Sequence, residues 1–100
     1  MKTQRSGRVK ILKLLPDPIP GMEIDHITLG TDERMTGTPH VAGTKEYLYC
    51  IKGEIALHVS GYRNLVAKGE LLAFPGDQPH SYQNVGRGEA QAFSVVALAY

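Results

Sequence analysis

Two histidines and one glutamate stand where strand-like patterns of this sequence begin or resume, and these residue types can bind a metal or a polar ligand. His40 and Glu46 belong to one segment, and His80 belongs to a second segment further along the chain. Alternate side chains of a strand point to the same face, so His80 and Tyr82 share one face of their strand. Glu46 shares a face with Leu48 in the same way. If the two faces meet inside a barrel, His40, Glu46 and His80 converge on one point.

Two imidazoles and one carboxylate form an open set of ligands for a divalent metal. The set of His40, Glu46 and His80 suits zinc, iron, manganese or nickel and leaves coordination positions for water or for a ligand. Tyr82 follows His80 by two residues, so its hydroxyl is placed to bond a ligand or a metal-bound water. The alternative is that both histidines are polar pocket groups without a metal, hydrogen-bonded to Glu46 and Tyr82. For Tyr82 itself the alternative is a packing role at the barrel mouth.

The other reactive side chains are expected to have structural roles. Cys50 is expected to face inward as a small hydrophobic group rather than to act as a catalytic thiol. His58 alternates with apolar neighbours and, like His26, is expected at the surface. Asp77 lies in the turn before His80, where aspartate side chains bond nearby backbone amides.

Bulk properties limit the classes of protein to which this chain can belong. One hundred residues make a single domain with one core. The formal net charge of +1 provides no field that would draw nucleic acid or an anionic membrane, so direct contact with DNA is not expected. The single cysteine excludes an internal disulfide, and no apolar run resembles a membrane span or a signal peptide. The expected location is therefore the reducing cytoplasm.

Short strands separated by glycine turns dominate the sequence. Residues 1–8 are basic and are predicted to be an arm or the end of a linker, and residues 9–100 to be the folded domain. Residues 30–39 are predicted to be a polar loop, and no stretch shows helical periodicity with caps. The predicted strands are 9–15, 22–29, 47–51, 55–59, 62–66, 71–74, 80–84 and 90–99. The glycines expected to need unusual backbone angles in turns are Gly53, Gly61, Gly69 and Gly76. Many short strands of this kind predict an all-β sandwich or barrel.

The segment with His40 and Glu46 resembles the first of the two paired motifs of the cupin superfamily. That motif reads His-x-His, three or four residues, Glu, six residues, Gly. His40, Glu46 and Gly53 match it, and Ala42 stands where the second histidine of the motif belongs. The resemblance implies an all-β cupin jelly-roll barrel. It also implies a metal site of reduced ligand number, because cupin sites usually have three histidines and a glutamate.

The segment with His80 resembles the second cupin motif. That motif reads Gly, five residues, Pro-x-Gly, two residues, His, three residues, Asn. Gly69, Pro75, His80 and Asn84 match it, and Asp77 replaces its second glycine. The two motifs together are specific for the fold, whereas cupins include enzymes, storage proteins and sensors.

Within the superfamily, the chain is similar to the carboxy-terminal effector domains of bacterial regulators of the XRE type, which carry an amino-terminal helix-turn-helix. The features in common are the stretches Leu-Leu-Pro-x-x-x-Pro-Gly at 14–21, Pro-His-x-x-Gly-x-x-Glu at 39–46 and Pro-His-x-Tyr-x-Asn at 79–84. That branch also commonly lacks the histidine replaced by Ala42. The similarity covers residues 8 to 99.

The resemblance implies a domain that senses a small molecule and alters how a linked helix-turn-helix binds DNA. No such helices are expected in this chain, which would be a fragment of a longer regulator or a stand-alone relative. A small metal-dependent cupin enzyme, such as a dioxygenase or isomerase using His40, Glu46 and His80, is the alternative. A non-catalytic structural dimer is a third hypothesis. The replaced histidine favours sensing over oxygen chemistry.

The expected partners are a small ligand and a second copy of the chain. Apolar strands at 9–15 and 90–99 are too hydrophobic to face water on both sides, which predicts a two-fold homodimer. The ligand-binding residues are expected to be His40, Glu46, His80 and Tyr82. An amino acid or a short carboxylate suits this set, and a ligand carboxylate would bond to a metal, to Tyr82 or to the loop residue Arg34.

Overall fold

The computed structural model describes residues 2–98, except for the side chains of residues 2 and 4–6. Ten strands and no helix are found in this part of the chain. The strands are β1 (Lys2–Ser6), β2 (Val9–Lys13), β3 (Met22–Leu29), β4 (Arg34–Thr36), β5 (Thr44–Lys52), β6 (Glu54–Val59), β7 (Tyr62–Ala67), β8 (Leu71–Pro75), β9 (His80–Asn84) and β10 (Ala90–Leu98). The prediction of an all-β fold is confirmed. The predicted end of the last strand at residue 99 lies outside the described residues.

The strands form two antiparallel sheets that together make a jelly-roll barrel. One sheet has the order β1-β2-β3-β10-β5-β8, and the other has the order β4-β9-β6-β7. Strands β5 and β9 therefore lie in different sheets. Because each carries one half of the predicted site, the site can form only across the barrel interior.

Buried residues alternate with more exposed ones along β5 and β9, and this alternation fixes the face on which each side chain lies. Glu46, Leu48 and Cys50 on β5 are buried, while the residues between them are exposed. On β9, Tyr82 is buried on the same face as His80. This alternation agrees with the two-residue period of a strand that has one face toward the core.

Two regions differ from the sequence-based expectation. The loop predicted at 30–39 contains β4, which is only three residues long and pairs with β9. The basic segment predicted to be an arm or linker contains β1, which turns back through Gly7 and pairs with β2 along its whole length. Glycine suits this turn because its φ is +60°. The assignment of residues 1–8 to a linker remains a prediction.

Gly76 is an exception to the expected role of the turn glycines. Gly53, Gly61 and Gly69 have positive φ, as expected, whereas Gly76 does not, so that expectation was wrong. A Cβ at Gly76 would lie 3.1 Å from Thr44 Cγ2 and 3.5 Å from the Glu46 Cβ. A side chain at Gly76 would therefore press on Thr44 beside the site.

The two histidines expected at the surface are partly covered. His58 lies opposite the buried face of β6, and its Nε2 is 3.3 Å from Gln83 Oε1. His26 packs against the Phe93 ring with the ring centroids 5.5 Å apart. Both lie outside the barrel interior. The described residues include no helix long and apolar enough to cross a membrane.

Candidate functional site

A cavity of about 400 Å³ lies in the barrel interior, where the two cupin-like segments meet. It receives side chains from β2, β3, β5, β9 and β10 and is covered by the segment around β4. Its apolar lining residues include Ile11, Ile27, Met35 and Val96, and its polar ones include Lys13, Glu23, Asp25, His40, Glu46, His80, Tyr82 and Ser94. All four predicted ligand-binding residues are thus brought to one cavity.

Glu46 is the centre of the polar end of this cavity. Its side chain is 1% exposed, so the carboxylate depends on protein partners. Oε2 accepts hydrogen bonds from the Tyr82 hydroxyl and from Ser94 Oγ, the second at 3.2 Å. Oε1 faces both predicted histidines, with His40 Nε2 at 3.7 Å and His80 Nε2 at 3.5 Å. The two oxygens therefore have different environments.

His80 is held in one ring orientation. Its Nδ1 lies 2.8 Å from the carbonyl oxygen of Gln78, and because a carbonyl only accepts, Nδ1 carries the proton. Phe74 and Tyr82 pack edge-on against the ring, with centroids 5.3 and 5.5 Å away. In the neutral imidazole, Nε2 is consequently an acceptor directed toward Glu46. In the protonated ring, Nε2 would instead donate to Glu46 Oε1, which lies 3.5 Å away.

His40 lies at the mouth of the cavity between two carboxylates. Its Nδ1 is 3.7 Å from Glu23 Oε2, and its Nε2 is 3.7 Å from Glu46 Oε1. Its backbone N–H donates to the carbonyl of Gly76 at 2.9 Å, which fixes the segment before β5. The side chain is 25% exposed, so His40 can reach solvent as well as the cavity.

Tyr82 acts as a hydrogen-bond donor. Burial raises the pKa of its phenol, and the negative charge of Glu46 raises it further. The phenol therefore keeps its proton and directs it to Glu46. Since this contact occupies the hydroxyl proton, the remaining lone pairs of the oxygen are what a ligand in the cavity can use.

Lys13, Glu23 and Asp25 form a second polar group in the cavity, which we call the charged cluster. Lys13 Nζ donates to Glu23 Oε1 at 2.9 Å and to Asp25 Oδ2 at 3.0 Å. Burial would lower the pKa of Lys13, but these hydrogen bonds and charges raise it on balance. Burial raises the pKa of Asp25, and Lys13 offsets part of that shift. The other oxygen of Asp25, Oδ1, is buried and has no hydrogen-bond partner among the described residues.

The sequence did contain a signal for the charged cluster and for Ser94. Glu23, Asp25 and the buried Ile27 follow one another at a spacing of two residues, so all three share one face of β3. Ser94 lies between the inward Ala92 and Val96 in the same way. Extending the alternation from the apolar residues to their polar neighbours finds all of these positions.

Asn84 and Asp77 have structural roles. The Asn84 side-chain amide donates to three carbonyls, those of Leu29, Gly30 and Gly88, at 2.7–3.0 Å. Its Oδ1 accepts from a backbone N–H, so Asn84 joins loops outside the cavity. Asp77 Oδ2 accepts from the Gly43 N–H at 3.4 Å, so this side chain joins its turn to the segment before β5 instead of bonding a backbone amide within the turn.

Cys50 and Arg34 lie outside the cavity lining. Burial raises the pKa of the Cys50 thiol, which gives it no thiolate character for catalysis. Arg34 is exposed on β4 and is not among the residues that line the cavity. A ligand carboxylate inside the cavity would therefore have to find another partner.

The predicted metal ligands converge, but their arrangement does not match a metal centre. Within residues 2–98, no group of three or more His, Cys, Asp or Glu side chains is arranged to hold a metal ion. Glu46 uses Oε2 for Tyr82 and Ser94, and Ala42 offers no ligand. The divalent metal on His40, Glu46 and His80 therefore stays a prediction.

Comparisons with known proteins agree with this fold and this placement of the motifs. A family model described as "Cupin domain" matches residues 27–96. The cupin domain of an XRE family transcriptional regulator from Enterobacter cloacae superposes with a TM-score of 0.82 at 26% identity, covering 93% of this chain and 97% of that one. No curated protein sequence matches.

Two further structures show how far the similarity extends. An HTH_3 family transcriptional regulator from Vibrio cholerae has a TM-score of 0.82 at 30% identity, over 93% of this chain and 52% of that one. The chain thus spans about half the length of that regulator. The cupin domain of Cnp3 from Schizosaccharomyces pombe has a TM-score of 0.81 at 14% identity, over 98% and 69% of the two chains, which shows the fold alone. By the family match over most of its length, this chain belongs to the cupin domain family.

Proposed function

We propose that this cupin domain senses a small molecule for a bacterial transcriptional regulator, and that DNA binding resides in a helix-turn-helix outside this chain. The similarity to the Enterobacter cloacae and Vibrio cholerae regulators supports the regulatory role. The formal net charge of +1 supports the separation of DNA binding from this domain. Such a role would place the protein in the cytoplasm with the DNA.

The observation on which this proposal rests is that the cavity has fixed polar groups at one end and apolar walls beside them. Tyr82 and Ser94 both donate hydrogen bonds to Glu46 Oε2, and the carbonyl of Gln78 fixes the ring of His80. A concave site with a few fixed polar groups and an apolar lining is what small-molecule sites have in common. The volume of about 400 Å³ suits a molecule of modest size.

A metal-dependent enzyme, such as a dioxygenase or isomerase, is the second candidate. The observation in its favour is that His80 Nε2 and Glu46 Oε1 face each other at 3.5 Å. A divalent cation at that point would supply a Lewis acid. Against it stands the use of Glu46 Oε2 by Tyr82 and Ser94, which ties the carboxylate to the protein. Sensing without turnover is therefore our first choice.

A two-fold homodimer is the proposed assembly. A continuous row of large side chains crosses the outer face of the six-stranded sheet, since Leu12 pairs with His26, His26 with Phe93, Phe93 with Tyr49 and Tyr49 with Leu71. Phe93 is 38%, Tyr49 41% and Leu71 61% exposed. Apolar patches of this kind typically mark protein interfaces.

Strand β2 would connect the ligand to the dimer. Lys13 on β2 lines the cavity, while the neighbouring Leu12 belongs to the row of large side chains on the outer face of the sheet, which we call the outer row. A ligand that rearranges the charged cluster would move β2 and with it the dimer face. That movement is the proposed signal to the DNA-binding part of the regulator.

A thermal-shift screen of amino acids, amines and short acids tests the proposal. A ligand at a hundred times its Kd stabilises a folded protein by about 2.7 kcal/mol, which raises the Tm of a domain of this size by roughly ten degrees or more. The rise in Tm caused by the ligand should be absent in the double variant His40→Ala, Tyr82→Phe. The matched control is His58→Ala, Tyr62→Phe, which changes the same residue types outside the cavity. Hits that survive the first pair would contradict a ligand site in this cavity.

A further inference from the structure

We propose that the ligand is a small organic cation, an ammonium group with N–H donors carried on a short apolar chain. This inference rests on the proposed sensing function and names the chemical class of its ligand. Three separate features of the cavity support it: its charge, a buried acceptor without a partner, and a histidine lone pair that faces a carboxylate. Each would be matched by a positively charged hydrogen-bond donor.

The charge of the cavity lining is negative. Three carboxylates, those of Glu23, Asp25 and Glu46, line the cavity, and Lys13 is the one Lys or Arg side chain among the described lining residues. Counted against the single Lys13, these three carboxylates leave a formal excess of two negative charges among the Lys, Arg, Asp and Glu side chains of the lining. Charges act more strongly in a partly enclosed site than in water, so this excess attracts cations and repels anions.

Asp25 provides an acceptor for such a cation. Oδ2 is hydrogen-bonded to Lys13, but Oδ1 is buried and has no partner in the described part of the protein. A buried acceptor without a donor is unfavourable, and a ligand N–H directed at Oδ1 would satisfy it. Desolvation raises the pKa of Asp25, and a neighbouring cation would favour its ionised form.

The second acceptor position lies between His80 and Glu46. The proton on His80 Nδ1 is committed to Gln78, so the neutral form of the ring presents the Nε2 lone pair to Glu46 Oε1, 3.5 Å away. A donor placed against both atoms would bond to both. An ammonium group has three N–H donors and no acceptor, and it fits this need better than a carboxylate, which only accepts.

The rest of the lining describes the remainder of the ligand. Ile11, Ile27, Met35 and Val96 form the apolar wall, which would bury a short hydrocarbon chain. Lys13 is already paired with two carboxylates and so gives little attraction to an anionic ligand. The inference therefore narrows the sequence-based expectation, which included short carboxylates, to ammonium compounds.

Isothermal titration calorimetry with n-butylammonium, n-butanol and n-butyrate tests this, because the three probes match in size and differ in charge. We expect butylammonium to bind about tenfold or more tightly than the other two. Asp25→Asn keeps the shape of the side chain and removes its charge, and it should weaken butylammonium by a similar factor. Asp32→Asn, an exposed aspartate outside the cavity, is the matched control and should leave the Kd unchanged.

Lys13→Met is expected to change the affinity for butylammonium in the direction opposite to Asp25→Asn. The two variants together therefore distinguish an effect on binding from a general loss of structure. Removal of the competing cation should tighten butylammonium binding, whereas damage to the fold would weaken it. The Tm of each variant is measured beside its Kd. We expect the Kd of butylammonium to be higher for Asp25→Asn and lower for Lys13→Met than for the natural protein.

Two results would overturn the inference. One is butyrate binding as tightly as butylammonium. The other is no measurable binding of butylammonium, including the case in which zinc alone occupies the cavity and His80→Ala abolishes its binding. The proposed function is judged separately. A screening hit of any charge that depends on His40 and Tyr82 would keep the sensing role even if the ammonium class is wrong.

Discussion

The Tyr82 hydroxyl donates a hydrogen bond to Glu46 across the barrel, from β9 in one sheet to β5 in the other. Both side chains are buried, at 3% and 1% exposed. This contact joins the two sheets at the point where the two cupin motifs meet. It also links the stability of the barrel to the protonation of a group in the candidate site.

Tyr82 should make the protein less stable as the pH rises above about 10. The phenol ionises near 10 in the unfolded chain, while burial and Glu46 raise its folded pKa, so above 10 the folded state holds a proton that the unfolded state has lost. Unfolding free energy should therefore fall by up to about 1.4 kcal/mol per pH unit. Urea unfolding at a series of pH values measures this slope.

The variant Tyr82→Phe isolates this contribution. It should show a shallower fall in unfolding free energy above pH 10 than the natural protein. Tyr62→Phe is the matched control, because Tyr62 is 74% exposed and lies far from Glu46. Equal slopes for Tyr82→Phe and the natural protein would contradict the buried donor role.

Gly37→Ala should damage both the fold and the ligand site. A Cβ at Gly37 would overlap the imidazole of His80 near Nε2, so the ring or the β4 segment must move. Overpacking of this kind costs about 1–3 kcal/mol of stability. Gly88→Ala is the control, because a Cβ there meets nothing within 4 Å. A Gly37→Ala protein as stable as the control, with unchanged ligand affinity, would contradict this geometry.

A charge in the outer row should dissociate the proposed dimer. Leu71→Lys places a charge beside Tyr49 in the face predicted to be buried between two copies. Leu65→Lys is the control, since Leu65 is 53% exposed on β7 in the other sheet. Light scattering should show a dimer for the natural protein and the control, and a monomer for Leu71→Lys. A natural protein that is monomeric at tens of micromolar would refute the dimer.

Elemental analysis of protein purified without chelator decides the metal prediction. If His40, Glu46 and His80 bind a divalent metal, about one equivalent should be present and His80→Ala should lose it. His58→Ala should retain it. A content below about a tenth of an equivalent, unchanged by added zinc or iron, would leave the cavity as a polar ligand site without a metal.

The sequence predicted the strands that carry the motifs because their alternation is regular. Glu46 and Tyr82 face the interior as the two-residue period requires. The resemblance to cupins predicted that their two strands lie in one barrel. Strand β4 was missed because it has three residues between loop residues, and its pairing with β9 is a long-range contact. Such pairing leaves no local pattern.

The charged cluster was missed for a different reason. Charged residues on a strand ordinarily face water, so the alternation that places Glu23 and Asp25 on the face of Ile27 was not extended to them. Their inward position becomes stable only when Lys13 is placed between both carboxylates. That neutralisation depends on the register of β2 with β3, in which Lys13 pairs with Asp25, and the register is a property of the folded sheet.

Recovery of a bound ligand tests the central claim most directly. The first hit from the thermal-shift screen is incubated with the protein, with and without added iron or manganese, and the compound is then identified by mass spectrometry. Sensing predicts that the ligand is recovered unchanged in every sample, while the His40→Ala, Tyr82→Phe variant fails to bind it. A chemically altered compound, formed at a rate that depends on the added metal, would contradict the sensing account and establish the enzyme.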